Sequence, residues 1–224
     1  MLLSTDTLAI LKNFAGINPS AIIKAGTTLT TMSVTKNIVA TAHVGDKFPV
    51  NAAIYDLNQF LGAVALFKAP NFEWLDNLVR LSEGKTKVDY VYGDPSGILE
   101  PKKINESALR FIGEIPVSKA DVEAISKAAN TFGFSDLILQ TTSDGDAVWK
   151  VTDKNDPNGN SYELAVENSS VASDSEFHFK LENLKMLPGD YLLKLASAPV
   201  PVAFFTSKTM DLQYFIALET TSKV

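Results

Sequence analysis

The chain has 224 residues, of which 46% are hydrophobic and 21% are charged, and this composition excludes a disordered or fibrous protein. It has no cysteine and only two histidines, which excludes thiolate catalysis, disulfides and a three-histidine metal site within one chain. The net charge of −6, from 20 basic and 26 acidic residues, argues at face value against a nucleic-acid partner, because nucleic-acid binding usually requires excess Lys and Arg.

Membrane and secretory signals are not visible in the sequence. No run approaches the roughly 18 apolar residues that a membrane span requires, and the N-terminus lacks a basic segment ahead of a long apolar one. We therefore expect a cytoplasmic chain with no membrane partner.

The first half of the chain predicts a helix, strands, a shorter helix and more strands. Residues 4–16 predict a helix that Ser4 caps, with apolar residues recurring at steps of three and four. Residues 21–44 are rich in Thr, Val and Ile and predict strands. Residues 56–68 predict the second helix, and residues 72–92 predict further strands.

The second half repeats this order. Residues 118–132 predict a helix with Ser118 as its cap, residues 136–168 predict strands, residues 181–188 predict a short helix, and residues 190–220 predict strands. The two capping serines lie 114 residues apart, and at that offset the apolar stripes of the two longer helices superpose. The chain is therefore interpreted as a duplicated α+β module of about 110 residues.

Two prolines and two glycines in residues 93–106 predict an extended connector between the halves. We expect an N-terminal domain over residues 1–93, an interdomain connector over residues 94–110 and a C-terminal domain over residues 111–224.

Signatures of catalysis and metal binding are absent from the sequence. It has neither a phosphate-binding loop nor a dinucleotide-binding glycine motif. Residues 153–163 partly match a calcium loop, but Pro157 occupies a ligand position, so a hairpin loop is favoured. His43 and His178 are expected on strands, without a catalytic partner. We expect no enzymatic activity, no metal and no cofactor.

Sorting the charges by predicted element changes the interpretation of the net charge. The four predicted helices contain five lysines and five acidic residues, so the rest of the chain carries the whole −6. If the helices share one face, that face suits loose, sequence-independent contact with phosphates. The alternative is ordinary solvated helix surface, with Glu123 and Lys127 forming a pair four residues apart.

Four segments carry a resemblance to a known family: residues 8–18, 52–62, 94–101 and 184–195. In this order, and in a chain of this length, they resemble the sliding clamps of T-even-type bacteriophages, which are processivity or accessory proteins of DNA polymerase. The similarity extends over nearly the whole chain. No single motif is diagnostic, since clamps have no catalytic signature.

The resemblance implies a DNA-clamp fold of the α+β class, with two similar domains that each pack two helices on antiparallel sheets. Three subunits would close head to tail into a six-domain ring around duplex DNA, with the helices lining the hole. The pore-facing residues that this implies are Lys12, Lys119, Lys127, Lys185 and Lys68.

The resemblance also implies the partners. They are double-stranded DNA bound without sequence preference, the replicative DNA polymerase, an ATP-dependent clamp loader and a late-transcription sigma factor or co-activator, all in the cytoplasm of an infected bacterium. The proteins would dock short C-terminal peptides in an apolar pocket near the connector. The expected lining residues are Ile98, Leu99, Tyr191, Val200, Pro201 and Val202. The alternative is that these residues pack the core of the second domain.

Two other classes of protein stay open at this point. Tandem β-rich modules with acidic surfaces also build virion or tail structures of phages. A hydrolase with paired carboxylates would need a concave pocket with perturbed pKa values, which the residue spacing does not indicate.

Overall fold

The structure is a computed structural model that describes residues 1–102, 104–142, 144, 146–156, 158–167, 169–172, 174–198 (with the backbone alone for residue 198) and 200–223. The chain divides into two compact units, Met1–Lys102 and Lys103–Val224. In both units helices pack on antiparallel strands, so the predicted α+β class is confirmed. The connector expected over residues 94–110 spans the division between the units.

The first unit has two helices and seven strands, and all of its residues are described. Its helices are α1 (Thr5–Ile17) and α2 (Leu57–Val64). Its strands are β1 (Ala21–Ile23), β2 (Gly26–Met32), β3 (Ile38–Phe48), β4 (Ala52–Ile54), β5 (Asn71–Trp74), β6 (Leu78–Glu83) and β7 (Thr86–Val91). Within the unit β1 pairs with β4, β2 with β3, and β6 with both β5 and β7, always antiparallel.

The described part of the second unit has one α-helix and eight strands. The helix is α3 (Lys119–Phe132). The strands are β8 (Arg110–Val117), β9 (Asp136–Thr141), β10 (Ala147–Thr152), β11 (Ser161–Val166), β12 (Glu176–Lys180), β13 (Tyr191–Ala198), β14 (Val202–Ser207) and β15 (Leu212–Ala217). They pair antiparallel in the orders β11-β10-β9-β12 and β8-β13-β14-β15.

Strand pairing repeats between the two units, as the duplicated sequence pattern predicted. In each unit a helix precedes four strands, of which the fourth pairs with the first, as β4 does with β1 and β12 with β9. A three-stranded meander then follows, β5-β6-β7 or β13-β14-β15. Even the β8–β13 pair has a counterpart, because Met1 exchanges two backbone hydrogen bonds of 2.7 Å with Phe72 of β5.

The prediction of a helix over residues 181–188 is wrong. The chain forms only a 3₁₀ turn at Leu181–Asn183 and then continues without helix. Two tyrosine hydroxyls bind the backbone of Leu187 instead: its N–H donates to Tyr214 at 3.1 Å, and its carbonyl accepts from Tyr191 at 2.5 Å. A residue whose two backbone groups are bonded in this way cannot join a helical ladder.

The helix predicted over residues 56–68 is shorter than expected and ends at Val64. After the helix the chain turns, with Leu66 and Phe67 donating to the carbonyls of Ala63 and Val64. Glu83 then accepts hydrogen bonds from the backbone N–H groups of Lys68 and Ala69, at 3.0 and 3.1 Å. Lys68 therefore lies in the loop after α2.

Each unit contains one tryptophan, buried in its own aromatic cluster. Trp74 lies 5.3 Å from Phe48, measured between ring centroids, and its ring is edge-on. Trp149 lies 5.5 Å from Phe179 in the second unit. Buried aromatic side chains contribute much of the packing free energy of small domains, so these clusters help to stabilise the core of each unit.

Both longer helices are capped by serine and anchored by an aspartate from outside the helix. Ser4 accepts a hydrogen bond from the N–H of Thr7, and its own N–H and hydroxyl donate to Asp46 at 2.8 and 2.7 Å. Burial would raise the pKa of Asp46, but hydrogen bonds from Thr7 and Ser4 outweigh it and hold the pKa below its ordinary value. In α3 the N–H of Lys119 donates to Asp190 at 2.8 Å.

Replacing Asp46 with alanine removes the acceptor of both Ser4 bonds, so we expect the free energy of unfolding at pH 7 to fall by about 1–2 kcal/mol. The folded-state pKa is lower than the ordinary 3.8. The stabilisation is therefore present above that value and is lost as the pH falls through the folded-state pKa. Urea denaturation of parent and Asp46→Ala at pH 7 and at about pH 3 measures both effects.

The matched control is Asp211→Ala, which changes an exposed aspartate and should alter stability by less than about 0.5 kcal/mol. Equal losses for the two variants, or a loss for Asp46→Ala that is undiminished at low pH, would contradict the anchoring role.

Candidate nucleic-acid interface

The three α-helices that the structure describes are together electrically neutral. They contain Lys12, Lys119 and Lys127 and, as their acidic residues, Asp6, Asp121 and Glu123. The whole net charge of −6 therefore lies outside them. Two of the three acids, Asp6 and Asp121, lie in first turns, where they match the helix dipole.

Lys12 lies on the exposed side of α1. The opposite side of the helix is buried, with Ile10, Leu11 and Phe14 all at most 3% exposed. Lys12 forms no ion pair with any residue that the structure describes. Apart from Asp6 in the first turn, Lys12 is thus the only charged residue of α1.

The ion pair on α3 differs from the predicted one. Glu123 pairs with Lys119 at 3.6 Å, one turn earlier in the helix, rather than with Lys127. Such exposed pairs contribute only about 0.2–0.5 kcal/mol. Within the described part of the chain Lys127 has no acidic partner, so its charge is available to an anion outside the protein.

Two of the predicted lysines lie outside helices. Lys68 is exposed in the loop after α2, and Lys185 is exposed two residues after the 3₁₀ turn. α2 itself has no charged residue, and Asn58 and Gln59 are exposed on it. Amide side chains also donate to phosphates. Asn58 and Gln59 were not among the residues predicted for this interface, because the prediction considered charge alone.

The residues expected to form a peptide pocket are distributed over both units. Ile98 is buried and Leu99 is 41% exposed, and both belong to the first unit. In the second unit Val200 is 61% exposed and adjoins Pro201 and Val202.

Tyr191 lies away from these three residues. It is opposite Ser207, whereas Val202 is opposite Ala196 at the other end of the β13–β14 pair. Five strand residues correspond to about 17 Å. Tyr191 is also 1% exposed, so it packs the core of the second unit.

Both histidines lie on strands, as the sequence predicted. His43 lies on β3 beside Thr28, at 3.1 Å, and His178 lies on β12 beside Glu176, at 3.4 Å. Residues 153–160 connect the antiparallel strands β10 and β11, which confirms the hairpin interpretation, although Pro157 lies outside the described residues. The described residues contain no cluster of three or more metal-ligating side chains. None of the described helices has the length and apolar character needed to cross a membrane.

The duplicated sheets and exposed, nearly neutral helices define a DNA-clamp fold, and solved structures support this class. PCNA from Thermococcus kodakaraensis superposes with a TM-score of 0.69 at 11% identity, over 98% of this chain and 99% of that one. PCNA from A. fulgidus, solved with the C-terminal region of FEN-1, gives 0.69 at 12% identity over 96% of both chains. The Helicobacter pylori beta clamp bound to a DNA ligase peptide gives 0.68 at 11% identity, over 98% of this chain and 65% of that one.

Sequence comparison identifies the family. The DNA polymerase processivity factor family matches residues 4–88, and the C-terminal family of gp45 sliding clamps matches residues 114–220. The sliding clamp of Vibrio phage KVP40 is 31% identical over 98% of this chain and 99% of that protein. The sliding clamp of Enterobacteria phage T4 is 29% identical over 99% and 98%. The chain belongs to the sliding-clamp family of T-even-type phages and is a DNA polymerase processivity factor.

Reversing the charge of Lys12 and Lys127 together should weaken association with duplex DNA equally for different sequences. The slope of log affinity against log salt is negative, and each lost phosphate contact reduces its magnitude by about 0.9, so we expect the magnitude to fall by nearly two. Fluorescence anisotropy with two unrelated duplexes over a salt series measures this slope.

The matched control is Lys36→Glu, an exposed lysine in the turn between β2 and β3. A slope unchanged by Lys12→Glu and Lys127→Glu, or lowered as much by the control, would remove these two lysines from the interface.

Proposed function

We propose that the protein is a homotrimeric ring that encircles duplex DNA and tethers the replicative polymerase, with no catalytic activity of its own. The observation that carries the proposal is the distribution of charge: an acidic chain whose helices are neutral and present exposed lysines. Membership of the sliding-clamp family supports it. Family membership also favours a sliding clamp over a virion or tail component as the function of this chain.

Weak contact follows from the sparseness of the lysines in the proposed pore. Lys12 and Lys127 lack acidic partners within the described residues, and Lys119 forms an ion pair with Glu123. Lys68 and Lys185 extend from loops. A few flexible ammonium groups attract the DNA backbone without reading bases. Acidic surfaces elsewhere on the protein would repel DNA, so the duplex is held and still slides.

Ring closure is proposed to use two edge strands, β7 and β11. Each lies at the edge of its sheet in the unit to which it belongs. Neither has a buried residue, and Val91 at the end of β7 is 66% exposed. Unprotected edges with apolar side chains favour pairing with another chain. One edge in each unit gives head-to-tail contacts that close into a ring.

We further assign the first domain to residues 1–93, the connector to residues 94–110 and the second domain to residues 111–224. The clamp would act in the cytoplasm of the infected bacterium after an ATP-dependent loader places it on DNA, and it would also support late viral transcription. In the first unit the exposed Leu99, with Ile98 next to it, is proposed to contact C-terminal peptides of these partners. In the second unit the exposed Val200, with Pro201 and Val202 next to it, is proposed to do the same. Tyr191 is left out of this contact, because it is buried about 17 Å along the strands from Val202.

A direct test combines mass measurement with a polymerase run-length assay. Light scattering should give about 73 kDa, three times the chain mass of 24.3 kDa. With the matching polymerase and loader, the protein should lengthen extension products and stay on circular DNA but leave linear DNA through its free ends. A stable monomer at micromolar concentration, or unchanged product length, would refute the proposal.

Val91→Asp should split the trimer into folded monomers, because it places a carboxylate on the proposed β7 contact. Val34→Asp is the matched control: Val34 is also 66% exposed but lies in the turn between β2 and β3. Light scattering at micromolar concentration should show a mass near 24.3 kDa for the first variant and an intact trimer for the second. Trimers from both variants would exclude Val91 from the ring contact.

A further inference from the structure

A groove extends along α3 in the second unit, between the helix and residues 184–191. It consists of two cavities of about 310 and 690 Å³. The cavities share much of their lining: Val122, Ser126, Asn130, Leu184 and Met186. The smaller cavity extends inward to Trp149, Phe179 and Phe205, so its inner wall is aromatic and apolar.

In the first unit the equivalent helix has a second helix packed against it. α2 contacts α1 and buries Leu57, Phe60 and Val64, which recur at steps of three and four. The second unit has no such helix in its described part, since residues 181–188 are held in a non-helical conformation. The groove therefore lies between α3 and the segment that takes the place of α2 in the order of elements.

Burial along the two longer helices differs accordingly. α1 buries six of its 13 residues, whereas α3 buries three of its 14. Val122, which lines both cavities of the groove, is only half-buried. An apolar flank left partly in water gains free energy when another apolar surface covers it.

We propose that the groove binds a short amphipathic α-helix of a partner protein, about two turns long, in the position that α2 has in the first unit. Its apolar residues would follow the spacing of Leu57, Phe60 and Val64. It would carry an acidic residue, because Lys127 lines the groove without a described acidic partner and Glu123 is already paired with Lys119. Helix-in-groove recognition of this kind depends on two or three apolar anchors.

The helix site overlaps the proposed DNA interface at Lys127. A bound helix and duplex DNA would therefore compete for that ammonium group. Binding itself requires only the folded second unit, so its failure would leave the ring proposal intact.

The test uses a fluorescein-labelled synthetic peptide with the sequence of residues 55–66, which contains α2, titrated with the full-length protein. Fluorescence anisotropy should show saturable binding. Ser126→Trp fills the groove and should lower the affinity at least about tenfold, a loss of about 1.4 kcal/mol. Ala120→Trp places the same side chain on an exposed position of α3 that does not line the groove, and it should change the affinity less than about twofold.

Two further measurements decide the outcome if Ser126→Trp does not fold. Lys127→Glu leaves the apolar wall intact and should lower the affinity about fivefold by reversing the rim charge. A peptide with Phe60→Glu should lose binding to the parent protein. No saturable binding up to about 1 mM protein, or equal binding by parent, Lys127→Glu and the folded Ser126→Trp, would overturn the proposal. If the peptide bound only by displacing α2 in the first unit, the parent and both variants would bind it equally. The comparison therefore separates groove binding from exchange with α2.

Discussion

One-sided packing of the helices on the sheets is the constraint from which the other properties of this clamp follow. A helix that buries Ile10, Leu11 and Phe14 must turn its other side to the solvent. That exposed side contains Lys12. The serine caps and the carboxylates of Asp46 and Asp190 fix where each helix begins, and so fix the direction of the exposed side. Selection for a stable core and selection for a surface suited to DNA therefore act on different residues of the same helix.

Net charge describes such a protein poorly, because the two kinds of surface have opposite requirements. The helices need few acids, and they use Asp6 and Asp121 at their first turns, where the helix dipole favours a carboxylate. The strands and loops hold the remaining acids. An acidic chain is thus compatible with a DNA partner when the neutral elements share the contact surface.

Much of the fold could be predicted from the sequence because helix caps and hydrophobic periodicity are local. The order of elements, both serine caps and the hairpin at residues 153–160 follow from neighbouring residues. The non-helical path around Leu187 does not, since it depends on Tyr191 and on Tyr214, which lies 27 residues away. Glu123 could pair with a lysine on either side, and spacing alone does not choose between them. The position of Tyr191 far from Val202 depends on strand register, which single-sequence patterns do not determine.

The placement of the two tryptophans has a practical consequence for spectroscopy. Trp74 and Trp149 are the only tryptophans in the chain, and each lies in the aromatic core of a different unit. If one tryptophan is replaced with phenylalanine, the fluorescence of the remaining tryptophan would report the unfolding of the unit that contains it. Because the chain has no cysteine, a single introduced thiol could be labelled at one chosen position. The protein is therefore well suited to optical measurements of whether its two halves unfold together or separately.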